Sequence, residues 1–243
     1  MTPRLFVPGP LHAGATLDLP ATATRHVQVL RLQPGAAVTL FDGGGGEWSA
    51  SVLQIGRDRV QVQVHAHTAR ECELPVAVTI ALAMPANDRM DSLIEKATEL
   101  GVAALVPLIA EHSVLRLAAE RAERRQAHWQ AIAVAACEQC GRNRVPRVEP
   151  VQALPAWLAG LAPLATGETR LLLGWRAARP WAQASAGLGE RLALLSGPEG
   201  GFTDAEEDMA RLRSFVTTQL GPRVLRADTA PLACLAALAL RAP

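Results

Sequence analysis

No uninterrupted apolar run approaches the roughly 18 residues of a membrane-spanning helix, although 49% of the 243 residues are hydrophobic. The opening MTPRLFVPGP also lacks the basic-then-apolar layout of a secretion signal. A cytoplasmic protein without a membrane partner is expected. Cysteine is scarce: Cys72, Cys137, Cys140 and Cys234 are too few and too unevenly placed for the disulfide framework of a secreted domain. Cys137 and Cys140 form a C-x-x-C, but no second Cys or His pair stands at zinc-ligand spacing, and the flanking AIAVAACEQC reads as helix. No metal is expected, and the thiols read as small buried hydrophobes. Net charge is only +1, so any site for nucleic acid must be a local patch rather than a basic face. Lys96 is the only lysine and tyrosine is absent. A GC-rich genome produces that bias, so the abundance of arginine carries no functional weight by itself.

What is present divides into two rhythms, and the length suits a small module joined to a larger one. From Arg4 to about Ala69, short alternating stretches are broken by turn residues: AAVTLFD, the glycine run Gly43 to Gly46, EWSASVLQI and RVQVQVHAH. Val60, Val62 and Val64 alternate with Gln61, Gln63 and His65, the pattern of a strand buried on one face. These read as a small β-barrel over residues 1–70, with RECELP as linker. From residue 71 to 243, strand and helix alternate, the signature of an α/β domain. VAVTIALAM (76–84) suits a parallel strand covered on both sides. Asn87 or Asp88 is placed to cap a helix carrying Met90, Leu93, Ile94 and Ala97, which stops at Gly101. Strands are expected at 104–109, 170–175, 191–196 and 217–221, with helices near 118–140, 203–214 and 229–240.

Two loops concentrate the chemistry. The stretch from Ser196 to Glu206 leaves an apolar strand, turns through Gly197, Pro198, Gly200 and Gly201, and enters a helix at Thr203 and Glu206, which fit the capping box S/T-x-x-E. Ligands of open α/β sheets bind just beyond the carboxyl ends of strands, where glycine lets the backbone come close. The loop lacks the G-x-x-x-x-G-K-[ST] and G-x-G-x-x-G patterns, which argues against a nucleoside triphosphate or a dinucleotide. A plain tight turn remains the bland alternative. The second loop, Leu220-Gly221-Pro222-Arg223-Val224-Leu225-Arg226-Ala227-Asp228-Thr229, also follows a strand and opens the last helix.

With IEKATELGV, ACEQCGRNRVPRV and RHVQVLRLQPG in the same order, LSGPEGGFTDAEE and LGPRVLRADTA resemble the ribosomal RNA small subunit methyltransferase E family of the SPOUT superfamily, over nearly the whole chain. The resemblance implies a PUA-like barrel, then a SPOUT α/β domain with a deep trefoil knot that holds S-adenosylmethionine, and a homodimer formed through the knotted domain. It implies methylation of N3 of a uridine, number 1498 of 16S ribosomal RNA. Leu173, Gly174, Leu195, Gly197, Pro198, Glu199, Gly200, Gly201, Leu220, Gly221, Val224, Leu225 and Arg226 would then form the cofactor pocket, largely through main-chain groups. Glu199 is placed either to complement the sulfonium charge or merely to cap the following helix. Arg226 is the candidate for stabilising negative charge on the acceptor, and Asp228 or Glu138 for taking its proton. RNA contacts are expected from Arg4, Arg25, His26 and Arg31, and from Arg142, Asn143 and Arg144 after the long helix. Lys96, Glu99, His112 and His128 read as structural. Two positions depart from the family pattern: Arg89 stands where a lysine is usual, and Arg226-Ala227-Asp228-Thr229-Ala230 replaces RAETA or RTETT. Two rival functions remain open at this point. One is a non-catalytic RNA-binding or ribosome-assembly protein; the other is a related methyltransferase acting on a ribose 2′-hydroxyl or on transfer RNA.

Overall fold

The computed structural model describes residues 2–85, 89–113, 119–176 and 178–241. The proposed cap at Asn87 or Asp88 lies outside them. Two compact units emerge, one of residues 1–73 with 134–145, the other of residues 74–133 with 146–243. The segment 134–145, which the sequence pattern leaves inside a continuous C-terminal domain, belongs with the N-terminal unit.

In the first unit, β1 (Arg4–Phe6), β2 (Thr16–Asp18), α1 (Ala21–Val29), β3 (Ala37–Phe41), β4 (Glu47–Ile55) and β5 (Val60–Thr68) follow in order. The strands form one sheet in the order β1-β3-β4-β5-β2. The β1–β3 pairing is parallel and the others are antiparallel. Val60, Val62 and Val64 on β5 are fully buried while Gln61 and Gln63 are half-exposed, so the period-2 pattern places one face in the core. Leu5, Leu40, Val52 and Val27 of α1 pack in that core. Little local signal announces α1, since Pro20 at its N-cap provides no side-chain bond and its first turn holds no acid.

The second unit begins with β6 (Ala77–Ala83), α2 (Arg89–Glu99), β7 (Ala104–Ile109) and α3 (Ala119–Cys140), whose residues 134–140 fall in the first unit. Next come β8 (Arg147–Val148), β9 (Gln152–Ala153), α4 (Leu154–Gly160), β10 (Glu168–Leu173), β11 (Arg179–Pro180), α5 (Trp181–Ala184) and β12 (Arg191–Ser196). The chain ends with α6 (Asp204–Leu212), β13 (Val216–Gln219) and α7 (Thr229–Ala239). The sheet is parallel throughout, ordered β11-β13-β10-β12-β6-β7-β8, with β9 also on β7. Burial of Val78, Ile80, Ala81, Leu82 and Ala83 on β6 shows why this strand reads as a continuous apolar run: helices cover both faces. Between α2 and α3, the Asp91 carboxylate accepts the Trp129 indole N–H at 3.0 Å and sits 2.7 Å from His128 Nε2, so His128 has a structural partner. Cys137 and Cys234 are buried, and burial pushes both thiols up to about 12. Cys140, the other member of the C-x-x-C, is only partly buried, and Cys72 is exposed. No described helix is long and apolar enough to cross a membrane.

Candidate functional site

Strands β13, β10 and β12 lie side by side, and their register sets Thr218, Leu173 and Ser196 abreast at the carboxyl ends. Beyond those ends opens a cavity of about 440 Å3, a volume suited to a small-molecule ligand. Its walls are residues 173–176 after β10, 196–199 with Gly201 and Phe202 after β12, and 218–220 with 223–227 after β13. The two loops singled out in the sequence therefore meet in one place. The Ser196 hydroxyl donates to the Ala227 carbonyl at 3.4 Å, tying the first loop's strand to the second loop.

Of the expected cofactor residues, Leu173, Gly174, Gly197, Pro198, Glu199, Gly201, Leu220, Val224, Leu225 and Arg226 line this cavity. Leu195, Gly200 and Gly221 are not in its lining. Leu195 points into the core beneath, with Leu172 and Phe215. Gly200 is held small by a different neighbour: a Cβ there would come 3.2 Å from His112 Cβ. The His112 ring in turn meets the Gly201 carbonyl through Nδ1 at 3.1 Å. Gly201 takes φ +73°, a conformation that L side chains rarely adopt.

The first loop is anchored by the capping box read from the sequence. The Thr203 hydroxyl accepts from Glu206 N–H at 3.2 Å, and Glu206 accepts from Thr203 N–H at 2.9 Å. The other Glu206 oxygen accepts from Glu111 N–H at 2.8 Å, so one buried carboxylate fastens the loops after β12 and β7 together. Glu199 pairs with Arg89 at 3.3 Å, and Glu207, also on the cavity wall, with Arg211 at 2.7 Å. Arg223 and Arg226 line the cavity with exposed side chains that have no ion-pair or hydrogen-bond partner among the described residues. Asp228 sits at the N-cap position of α7, outside the lining, and among the described residues its carboxylate meets only the Thr229 hydroxyl, at 3.4 Å.

The remaining expected residues lie in the first unit, and four need correction. Glu138 accepts Phe6 N–H at 2.9 Å and faces His26 Nδ1 at 3.5 Å. One oxygen serves β1 and the other faces α1, so this carboxylate fastens the first unit and is not among the residues that line the cavity, against the expectation of Glu138 as catalytic base. Arg4 is buried, bonded to Glu47 at 2.6 Å, to the Arg142 carbonyl at 3.3 Å and to the Asn143 side chain. Arg142 is 3% exposed and binds Glu73 through its Nε at 3.0 Å and again through Nη2. Asn143 is fully buried, donating to the Arg70 carbonyl at 2.8 Å. Arg4, Arg142 and Asn143 thus staple residues 134–145 to the sheet and have no free face for phosphate. Burial pushes the Glu47 carboxyl up, but the Arg4 hydrogen bond and charge, with Arg70 and Asn143, outweigh it and hold the group below its ordinary value. Arg25 and Arg31 are exposed, and Arg144 is half-exposed against Glu71 at 3.1 Å.

A model of the RNA methyltransferase domain matches residues 72–239, and one of the RNA methyltransferase PUA domain matches residues 19–64. Across 216 residues the chain is 34% identical to a Bacillus subtilis protein named ribosomal RNA small subunit methyltransferase E, covering 87% of this chain and 84% of that one. The chain belongs to the ribosomal RNA small subunit methyltransferase E family. A Synechocystis member is 35% identical over 241 residues, covering 97% of this chain and 77% of its own. The Neisseria gonorrhoeae member, solved bound to S-adenosyl methionine, superimposes with a TM-score of 0.91 at 34% identity, covering 99% of this chain and 98% of that one. A Legionella pneumophila methyltransferase solved with the same cofactor gives 0.92 at 32% identity, with 99% and 98% coverage.

Sequence reasoning missed Trp175, Arg176 and Arg223 as wall residues of this family member's cavity, and His112 as the support beneath the glycine loop. Trp175 had one usable signal, its position directly after the end of an apolar strand. His112 had none, because only folding brings it under Gly200.

Proposed function

We propose that the chain transfers the methyl group of S-adenosylmethionine to N3 of a uridine in 16S ribosomal RNA, number 1498 in the family's target. The observation that carries this reading is the single cavity lined by both glycine-containing loops, in a chain whose relatives bear that enzyme name and whose structural neighbours hold that cofactor. The residues present fit the group: an adenosyl-sized space, a glycine-containing wall of residues 197–199 and Gly201, and Phe202 and Leu225 as apolar packing. Bound there, S-adenosylmethionine supplies an electrophilic methyl on a sulfonium whose positive charge is lost on transfer. Glu199 and Glu207 put carboxylates on the cavity wall, where they would complement that charge.

Arg226 has an unpaired guanidinium and donates to the uracil carbonyl oxygens as N3 loses its proton and charge develops there. Asp228 takes the proton in this reading, because Glu199 and Glu207 are already paired with arginines. Holding methyl and nitrogen in line provides a further part of the acceleration, worth roughly 7 to 11 kcal/mol in well-oriented systems. RNA is held by the PUA-like unit through Arg25, Arg31 and Arg144. The second unit carries the trefoil knot, and two copies associate through it in the cytoplasm, where Leu212 and Leu240 offer exposed apolar surface.

Calorimetry with S-adenosylmethionine, followed by mass mapping of methyl groups on small-subunit RNA with and without the protein, tests this reading. Binding in the micromolar range and one new methyl on a uridine base are expected. No binding at millimolar cofactor would favour the RNA-binding protein without catalysis. A methyl on a ribose or on transfer RNA would move the acceptor.

A further inference from the structure

Of the five Trp and four Phe in the chain, Trp175 alone is exposed, at 48%, and it stands on the wall of the cavity. A large indole left in water costs hydrophobic stabilisation unless something covers it. The cavity has a floor and a rim. Ser196 and Thr218 at the strand ends are almost completely buried, whereas Trp175, Arg223 and Arg226 are all exposed. A small donor fills the floor, against glycine main chain. Whatever enters afterwards from solvent meets the rim first, and there it meets an exposed indole and two arginines that have no side-chain partner among the described residues. An aromatic face beside unpaired guanidinium groups is the chemistry that recognises a nucleotide: the base stacks and the phosphate takes the arginine fork. Neighbouring Arg176 is engaged with Asp204 and lies 4.0 Å from Glu207, so it braces the loop rather than competing for that phosphate.

We infer that Trp175 is the stacking platform for the acceptor nucleobase and Arg223 the clamp on its phosphate, which deepens the reading of the cavity as a uridine methylation site and rests on it. The platform follows directly from β10, a central strand of the sheet, and the Gly174 N–H beside it is tied to the Thr218 carbonyl at 3.0 Å. The indole is therefore presented two residues beyond the end of a central strand, next to a backbone bond that joins β10 to β13.

The test compares wild type, Trp175→Ala, Trp175→Phe and Arg223→Ala, each saturated with S-adenosylmethionine. Binding of a fluorescently labelled single-stranded uridine-containing RNA oligonucleotide is followed by anisotropy, with tryptophan emission recorded alongside. Methyl transfer to small ribosomal subunits that lack the modification is measured alongside. For Trp175→Ala, the expected result is an RNA affinity and subunit KM worse by roughly tenfold, with cofactor affinity by calorimetry unchanged within twofold. Trp175→Phe should restore most of the affinity while losing the emission quench that the oligonucleotide causes in wild type. Arg223→Ala should flatten the salt dependence of RNA binding. A parallel loss of cofactor affinity in Trp175→Ala would put the indole on the donor and overturn the inference, as would unchanged RNA binding. Wild type that binds the oligonucleotide through Trp175 yet methylates no ribosomal RNA would instead defeat the proposed function and leave the platform standing.

Discussion

Two groups of arginines look alike in the sequence and behave oppositely in the fold. Arg4 and Arg142 of the N-terminal unit are buried and spend their donors on Glu47, Glu73, Asn143 and a carbonyl. Arg223 and Arg226 on the cavity rim are exposed and have no side-chain partner among the described residues. Arg142 resembles an RNA contact because GRNR reads as an exposed turn, yet a guanidinium buried against a carboxylate of its own unit is withdrawn from phosphate. Charge in a sequence says nothing about whether the charge is available.

Arg226→Ala bears hardest on this contrast. Loss of a donor aimed at developing charge should lower kcat by about 100- to 1000-fold, while urea denaturation shifts by no more than about 0.5 kcal/mol because the side chain is exposed and unpaired. Arg142→Ala should do the reverse. Leaving Glu73 without its partner is expected to cost about 2 to 3 kcal/mol of stability, discounted because Glu73 is partly exposed. RNA affinity per folded molecule, measured on material verified by circular dichroism, should stay within twofold. A large specific loss of RNA binding there would return Arg142 to the interface.

Acid sharpens the same comparison. Glu47 has its folded pKa held below the usual 4.5, so its contribution to stability is complete above that value and is lost as pH falls through the lowered one. Thermal melts between pH 6 and 3 should therefore show the N-terminal unit weakening at the acid end, and Glu47→Gln should remove that part of the slope. Smaller effects belong to the scaffold of the cavity. Thr203→Ala should cost about 1 kcal/mol through the lost cap. Arg89→Ala should cost less than about 1 kcal/mol, since its pair with Glu199 is well exposed.

Much of the second unit was legible because burial on both faces writes a strand as an apolar run. The strand at 191–196 and the one at 104–109 have the bounds expected from that rule alone. The capping box at Thr203 and Glu206 was equally readable, since its bonds span three residues. Long-range partners were not. Nothing local tells that Glu138 turns to Phe6, that residues 134–145 join the first unit, or that His112 lies under Gly200.

By itself, then, the sequence determined where the chain turns, which strands are buried, and that two glycine-containing loops follow strand ends, because each of these depends on neighbours a few residues away. Only the tertiary structure decided which arginines are free, which carboxylate is a fastener, and which tryptophan faces the cavity. Those properties depend on what packs against a side chain from distant parts of the chain, where solvent access and a competing partner are set by folding.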